Sequence, residues 1–187
     1  YNSSNRIMPG KTVITSREGR VMVCAFNRPK QLNAWNDDLF NHVREAFEEA
    51  ENDDSVSVLI ITGNGRAFSA GADMVETLDR KGGPVYEDPT WDAPFGRCLK
   101  AVTTFTKPLL AAVNGVGVGW GMTIIGHCDF TFMSNTARLR TPFAELGLTA
   151  EAGSSVTFQR KMGWHNAAHV LMSSKWFGAQ ECKDMNL

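Results

Sequence analysis

The 187 residues are enough for one domain with a substantial buried core, and 43% hydrophobic with 21% charged residues is the balance of an ordinary globular protein. With 19 basic against 20 acidic residues and a net charge of -1, the chain has no basic field for gripping nucleic acid. No apolar run approaches the ~20 residues needed to cross a bilayer.

The opening stretch YNSSNRIMPG is polar and lacks the hydrophobic segment of a secretory signal. Residues 1–11 are expected to be a flexible leader with a trimmed end, and residues 12–187 a core domain. Thr12–Thr15 and Val21–Phe26 read as two strands joined by a turn at Glu18-Gly19. Asn27-Arg28-Pro29 then breaks the pattern. From Asn36 onward Leu39, Phe40, Val43, Ala46, Phe47 and Ala50 recur at helical spacing. Asn36 suits the N-cap, and Asp37 and Asp38 suit the positive end of the helix. The run Val56–Ile61 predicts a strand buried on both faces, so strand, crossover helix and strand make a parallel unit.

Residues 80–96, rich in Gly, Pro and Asp, read as a surface loop. A helix carrying Phe95, Leu99, Val102 and Phe105 follows, and Leu109–Val113 reads as another buried strand. A helix is expected after the Gly-rich stretch 115–121, through about Gly126. Strands at Phe130–Met133 and Ala137–Arg140 come next, then helices over much of 152–187. No sequence repeat is visible, and the class is α/β. Cys24, Cys98, Cys128 and Cys182 are scattered without a CxxC pair, which predicts free thiols in a reducing, intracellular compartment.

Two segments combine a strand, small residues and the start of a helix: Gly65–Asp73 (GRAFSAGAD) and Asn114–Thr123 (NGVGVGWGMT). Small residues let a ligand approach the main chain, and a helix start offers unpaired N–H donors. Two such donors converging on one point make an oxyanion hole. The same glycines also suit plain close packing of strands and helices, and pattern alone leaves both readings open. GxGxxG fails at every register and the Walker pattern fails at Gly10-Lys11-Thr12. A nucleophile elbow around Ser69 (AFSAG) comes closer, with Ala67 in place of its first glycine and His165 or His169 as a base on chain order alone. His165 and His169 stand four apart, but the Glu of HExxH is missing between them. His127, beside Cys128, reads as structural.

On these motifs the sequence resembles the crotonase (enoyl-CoA hydratase/isomerase) superfamily. GRAFSAGAD (65–73) is similar to its first oxyanion segment and AAVNGVGVGWG (111–121) to its second. FNRPKQLNAW (26–35) resembles the early CoA-contacting turn, and TPFAELGLTAEAGSS (141–155) the segment bearing catalytic side chains. The likeness runs from about Thr12 to the last residue. It implies a ββα superhelix (spiral fold), truncated here before the C-terminal helices that build trimers. A homotrimer or dimer of trimers is implied for the whole protein, with an acyl-CoA thioester as substrate and no cofactor beyond the CoA that the substrate carries.

Carried over by resemblance, the oxyanion donors fall on the backbone N–H groups of Ala72 and Trp120. Lys30, Gln31 and Leu32 fall where the family touches CoA, and Ala70, Asp73 and Met74 fall beside the adenine and pantetheine path. The resemblance places the two glutamates of hydratases at Thr123 and Phe143, which therefore border the substrate without exchanging protons. Glu145 is two residues too late to replace the second. Glu151 is similar in setting to the single catalytic glutamate of peroxisomal-type 3,2-trans-enoyl-CoA isomerases, which implies a double-bond shift in fatty acid beta-oxidation. Peroxisome, mitochondrion and bacterial cytoplasm all fit. The alternatives are a hydratase or other crotonase reaction, a CoA- or protein-binding module without turnover, and a serine hydrolase using Ser69.

Overall fold

Alternation in the second strand sets the first layer of the core: Met22, Cys24 and Phe26 are fully buried, while Val21, Val23 and Ala25 between them are only partly covered. The computed structural model describes residues 12–78 and 92–187. The expected leader and most of the expected loop over 80–96 lie outside them. Strand β1 (Val13–Glu18) pairs antiparallel with β2 (Val21–Phe26). The turn between them passes through Gly19 at φ +57°, a left-handed conformation that glycine adopts without steric cost.

Helix α1 (Asp37–Asn52) starts where the sequence predicts. The Asn36 side chain accepts from the Leu39 N–H at 3.0 Å, satisfying one of the orphan donors of the first turn. The six apolar residues of its predicted face are all buried. Strand β3 (Val58–Gly63) follows and lies parallel to β2. It corrects one expectation, because its burial alternates. Leu59 and Ile61 are fully buried, whereas Val58 and Ile60 are only partly covered. α1 packs on the sheet and α3 (Pro94–Thr103) packs against α1, while Phe130 and Phe132 on β7 are 62% and 65% exposed.

The remaining strands fall into two sheets. β5 (Leu109–Val113) and β7 (Phe130–Met133) extend the first parallel to β3, in the order β1-β2-β3-β5-β7. β4 (Ala67–Ser69), β6 (Val116–Val118), β8 (Arg138–Arg140) and β9 (Phe177–Gly178) form the second, in that order. The chain thus steps from the first sheet to the second three times, at β3–β4, β5–β6 and β7–β8. This is a structural repeat with no sequence repeat behind it. The sequence reading gave no bounds for strands at β4, β6 and β9, and its helix after residue 121 starts two residues earlier, as α4 (Trp120–Thr123) followed by a 3₁₀ turn, Ile124–His127.

Short α2 (Met74–Leu78) follows β4. The C-terminal part comprises α5 (Ser154–Ser173), bent at Gly163, and α6 (Ala179–Asp184). No helix among the described residues is long and apolar enough to cross a membrane. All four cysteines are free and buried. Burial pushes the thiols of Cys24, Cys128 and Cys182 up to about 12, so they stay protonated and inert at neutral pH.

Candidate active site

The second sheet brings the two Gly-rich segments side by side, because β4 and β6 are parallel neighbours. Three glycines serve packing here. A Cβ on Gly115 would lie 2.2 Å from the Arg66 carbonyl oxygen, one on Gly117 would lie 2.5 Å from Leu139 Cδ2, and one on Gly121 would lie 2.5 Å from the Ser69 carbonyl oxygen. Gly119 differs, with open space around it and φ +54°. It turns the chain from β6 into α4, a conformation an L side chain adopts only with strain.

Main-chain hydrogen bonds orient the two amides. Ala72 forms an isolated parallel bridge with Trp35. The Trp35 N–H donates to the Gly71 carbonyl at 2.8 Å and the Asp73 N–H donates to the Trp35 carbonyl at 2.9 Å. In a parallel ladder this pattern leaves the intervening residue's own N–H facing away from the partner strand. On the other side, Gly119 donates to the Arg140 carbonyl, and Met122 and Thr123 donate to the Gly119 carbonyl. No acceptor among the described residues takes the N–H of Ala72 or of Trp120. Both residues line one cavity of about 430 Å³, within the usual range for a small-molecule site.

Aromatic rings form much of the cavity wall. Trp35 meets Trp120 edge-on at 5.8 Å and Phe95 meets Trp120 edge-on at 5.5 Å, with Phe40 against both Trp35 and Phe95. Phe143, Leu146 and Leu148 continue it. Such a surface takes an apolar group.

Glu151 stands on the same wall. Desolvation raises its carboxyl from 4.5 to about 7, against the opposing pull of the Thr123 hydroxyl, which donates to Oε1 at 2.6 Å. A carboxyl near neutrality can take a proton and give it back. Asp37, Asp73 and Glu76 also line the cavity. Asp73 and Glu76 are engaged by Arg28, at 2.8 Å and 3.2 Å, and Asn36 also donates to Glu76.

The predicted residues therefore divide. Ala70, Ala72, Asp73, Met74, Trp120, Phe143 and Glu151 share the cavity. Thr123 is fully buried and reaches it only through Glu151. Lys30 and Gln31 lie exposed on a 3₁₀ turn (Pro29–Gln31), and the Leu32 carbonyl accepts from the Ala70 N–H at 2.9 Å; none of these three lines the cavity. Asp73 is 8% exposed and ion-paired with Arg28. Glu145 is exposed and paired with Arg140. Ser69 is fully buried; its hydroxyl donates to the Asn33 carbonyl at 2.9 Å and accepts from the Gly71 N–H at 3.1 Å, a structural role without a histidine. His165 and His169 are exposed, and no group of three or more potential metal ligands occurs among the described residues.

Sequence reasoning passed over Arg28 and Asn33. Asn33 is fully buried and left-handed at φ 54°. Its side chain donates to the carbonyls of Asn64 and Ala67 and accepts from the Arg28 N–H, fixing the early turn against β4. An Asn and an Arg flanking a predicted turn were the available signal.

Parallel strands alternating between two sheets, with two unclaimed amides and a carboxyl around one apolar cavity, define the crotonase class. The sequence model of the enoyl-CoA hydratase/isomerase family matches residues 16–187, and the chain belongs to that family. It is 34% identical over 188 residues to human enoyl-CoA delta isomerase 2, covering 96% of this chain and 48% of that protein. It is also 34% identical over 175 residues to the 2,3-dehydroadipyl-CoA hydratase of Escherichia coli, covering 94% and 67%. A solved enoyl-CoA hydratase from Mycobacterium marinum superposes with a TM-score of 0.83 at 39% identity, covering 94% of this chain and 81% of that one. The chain spans about half the length of the human isomerase it matches.

Proposed function

We propose that the protein moves the double bond of a 3-enoyl-CoA to the 2-trans position through an oxyanion-stabilised dienolate. The observation that carries this reading is the set of side chains at the cavity: Phe143 on its wall and Thr123 behind it stand where the family resemblance puts the two hydratase glutamates, and Glu151 is a carboxyl on the wall that Ala72 and Trp120 also line. Hydration calls for activating water and delivering its proton, whereas isomerisation needs one group that carries a proton between two carbons. The Glu151 carboxylate takes a proton from C2. The electron pair delocalises onto the thioester oxygen, which sits between the N–H groups of Ala72 and Trp120. The Glu151 carboxylic acid then delivers the proton to C4, and the double bond ends conjugated with the carbonyl. Each amide contributes about 3 kcal/mol to the dienolate.

The relatives' names alone do not choose, since identity to an isomerase and to a hydratase is equal at 34%. The resemblance further supports a step in fatty acid beta-oxidation and a homotrimeric assembly. The open apolar face around Phe130 and Phe132 is compatible with association.

The test is turnover of 3-hexenoyl-CoA, followed by the absorbance of the conjugated enoyl thioester. Wild type converts it, and Glu151→Gln loses about 10²- to 10⁴-fold in kcat. An inert wild type, or full activity without the Glu151 carboxyl, contradicts the assignment; hydration of 2-hexenoyl-CoA that depends on Glu151 would move it to the hydratases.

A further inference from the structure

We propose that Thr123 and His127 are positioning residues that fix the Glu151 carboxylate relative to the Trp120 amide, through one buried segment that carries all three groups. The inference rests on the isomerase reading above and concerns how that site is held. Glu151 lies on no regular element. It opens a turn in which Ala152 (φ 53°) and Gly153 (φ 72°) are successively left-handed, an uncommon conformation for a buried alanine that persists only where surroundings enforce it. The Ser154 N–H and hydroxyl both donate to the Glu151 carbonyl, at 2.9 and 2.7 Å. They hold the turn from the α5 side and leave the side chain free to swing.

The other side is held by residues 120–127. Thr123 ends α4 and His127 ends the 3₁₀ segment that continues it, and both side chains reach the turn at residues 151–152. Thr123 Oγ1 donates to Glu151 Oε1 at 2.6 Å, so Oε2 is the oxygen without a partner among the described residues. His127 Nε2 lies 2.8 Å from the Ala152 carbonyl, which makes Nε2 the protonated nitrogen because a carbonyl only accepts. Trp120, three residues before Thr123, supplies the oxyanion amide. The separation between that amide and the base is therefore set by side chains of one short segment rather than by the mobility of a loop.

Few charges bear on the carboxyl. His127 is neutral, its ring held below the ordinary range by burial and by nearby Lys161, with the Ala152 hydrogen bond opposing. Asp37, Asp73 and Glu76 line the same cavity, and none of them figures among the causes of the Glu151 shift, which are desolvation and the Thr123 hydroxyl.

The experiment compares kcat, KM and pH–rate profiles of wild type, Thr123→Val, Thr123→Ser, His127→Leu and His127→Gln with 3-hexenoyl-CoA, alongside Glu151→Gln. Thr123→Val is expected to lower kcat about 10- to 100-fold with KM nearly unchanged. It should also move the acid limb about 1 pH unit higher, because the hydroxyl no longer stabilises the carboxylate; Thr123→Ser restores both. His127→Leu is expected to lower kcat without moving the limb, and His127→Gln, which keeps an N–H donor, recovers most of it. Thr123→Ala replaces the valine variant should that one not fold, with the same expectation.

Carbon-13 NMR titration of the Glu151 carboxyl in wild type and Thr123→Val reads the same shift without turnover. If Glu151→Gln is inactive while Thr123→Val and His127→Leu keep kcat and the limb and lose only thermal stability, the positioning role is overturned and the isomerase reading stands. If wild type is inert, that reading falls, and an NMR titration identical in the two proteins overturns the positioning role as well.

Discussion

At the scale of single residues, burial of the Glu151 carboxyl costs stability. Its carboxyl titrates at about 7 in the folded chain against 4.5 in an unperturbed glutamate. Below pH 4.5 both folded and unfolded chains hold the proton and the residue is neutral in the balance. Between 4.5 and 7 the unfolded chain has released its proton and the folded one has not, so stability falls as pH rises, and the whole penalty is present above 7. Glu151→Gln removes that penalty. Its Tm at pH 8 should exceed that of wild type by roughly 3–6 °C, with the gain gone near pH 4.5 in a calorimetric series. An equal gain at both pH values would mean that the carboxyl is not buried as described. Glu151 was singled out in the sequence only through its resemblance in setting to the single glutamate of the isomerases. Its supports were not, because Thr123 lies 28 residues away and the Ala152 partner His127 lies 25 away, beyond any local pattern. The same holds for Arg28 and Asp73, separated by 45.

At the scale of elements, the two Gly-rich segments meet because α4 rests directly on β4. Gly121 is the contact, and a methyl there would sit 2.5 Å from the Ser69 carbonyl oxygen and 2.9 Å from Ser69 Cβ, with backbone that cannot yield. Gly121→Ala is expected to cost about 1–3 kcal/mol in urea unfolding, as overpacking does, and to lower kcat because the Trp120 amide moves with α4. An unchanged rate in a destabilised protein would separate packing from the site. The longer elements were legible in the sequence: the capped helix from Asn36, the strand Leu109–Val113 and the hairpin to Phe26 follow directly from periodicity and turn residues. β4 and β6, three residues each, are too short and too rich in small residues for alternation to register. Val56–Ile61 misled in another way, since a run of apolar residues is consistent with burial on both faces, yet burial alternates along β3.

At the scale of the whole molecule, the spiral exists to put loops from successive turns at one place. β3–β4, β5–β6 and β7–β8 each cross from one sheet to the other, and the segments after β4 and β6 and the turn before α5 meet around one apolar cavity. The class was readable from four ordered motifs, whereas the crossing between sheets was not, because it depends on pairings between strands far apart in the chain. In the proposed reaction one thioester oxygen receives both amides while Glu151 faces the neighbouring carbon. A crystal structure of the protein with acetoacetyl-CoA, whose enolate form mimics the intermediate, measures this directly. The predicted result is a thioester oxygen about 2.7–3.1 Å from both the Ala72 and the Trp120 nitrogen, with Glu151 Oε2 over C2; an oxygen bound by only one amide, or C2 turned away from Glu151, would contradict it.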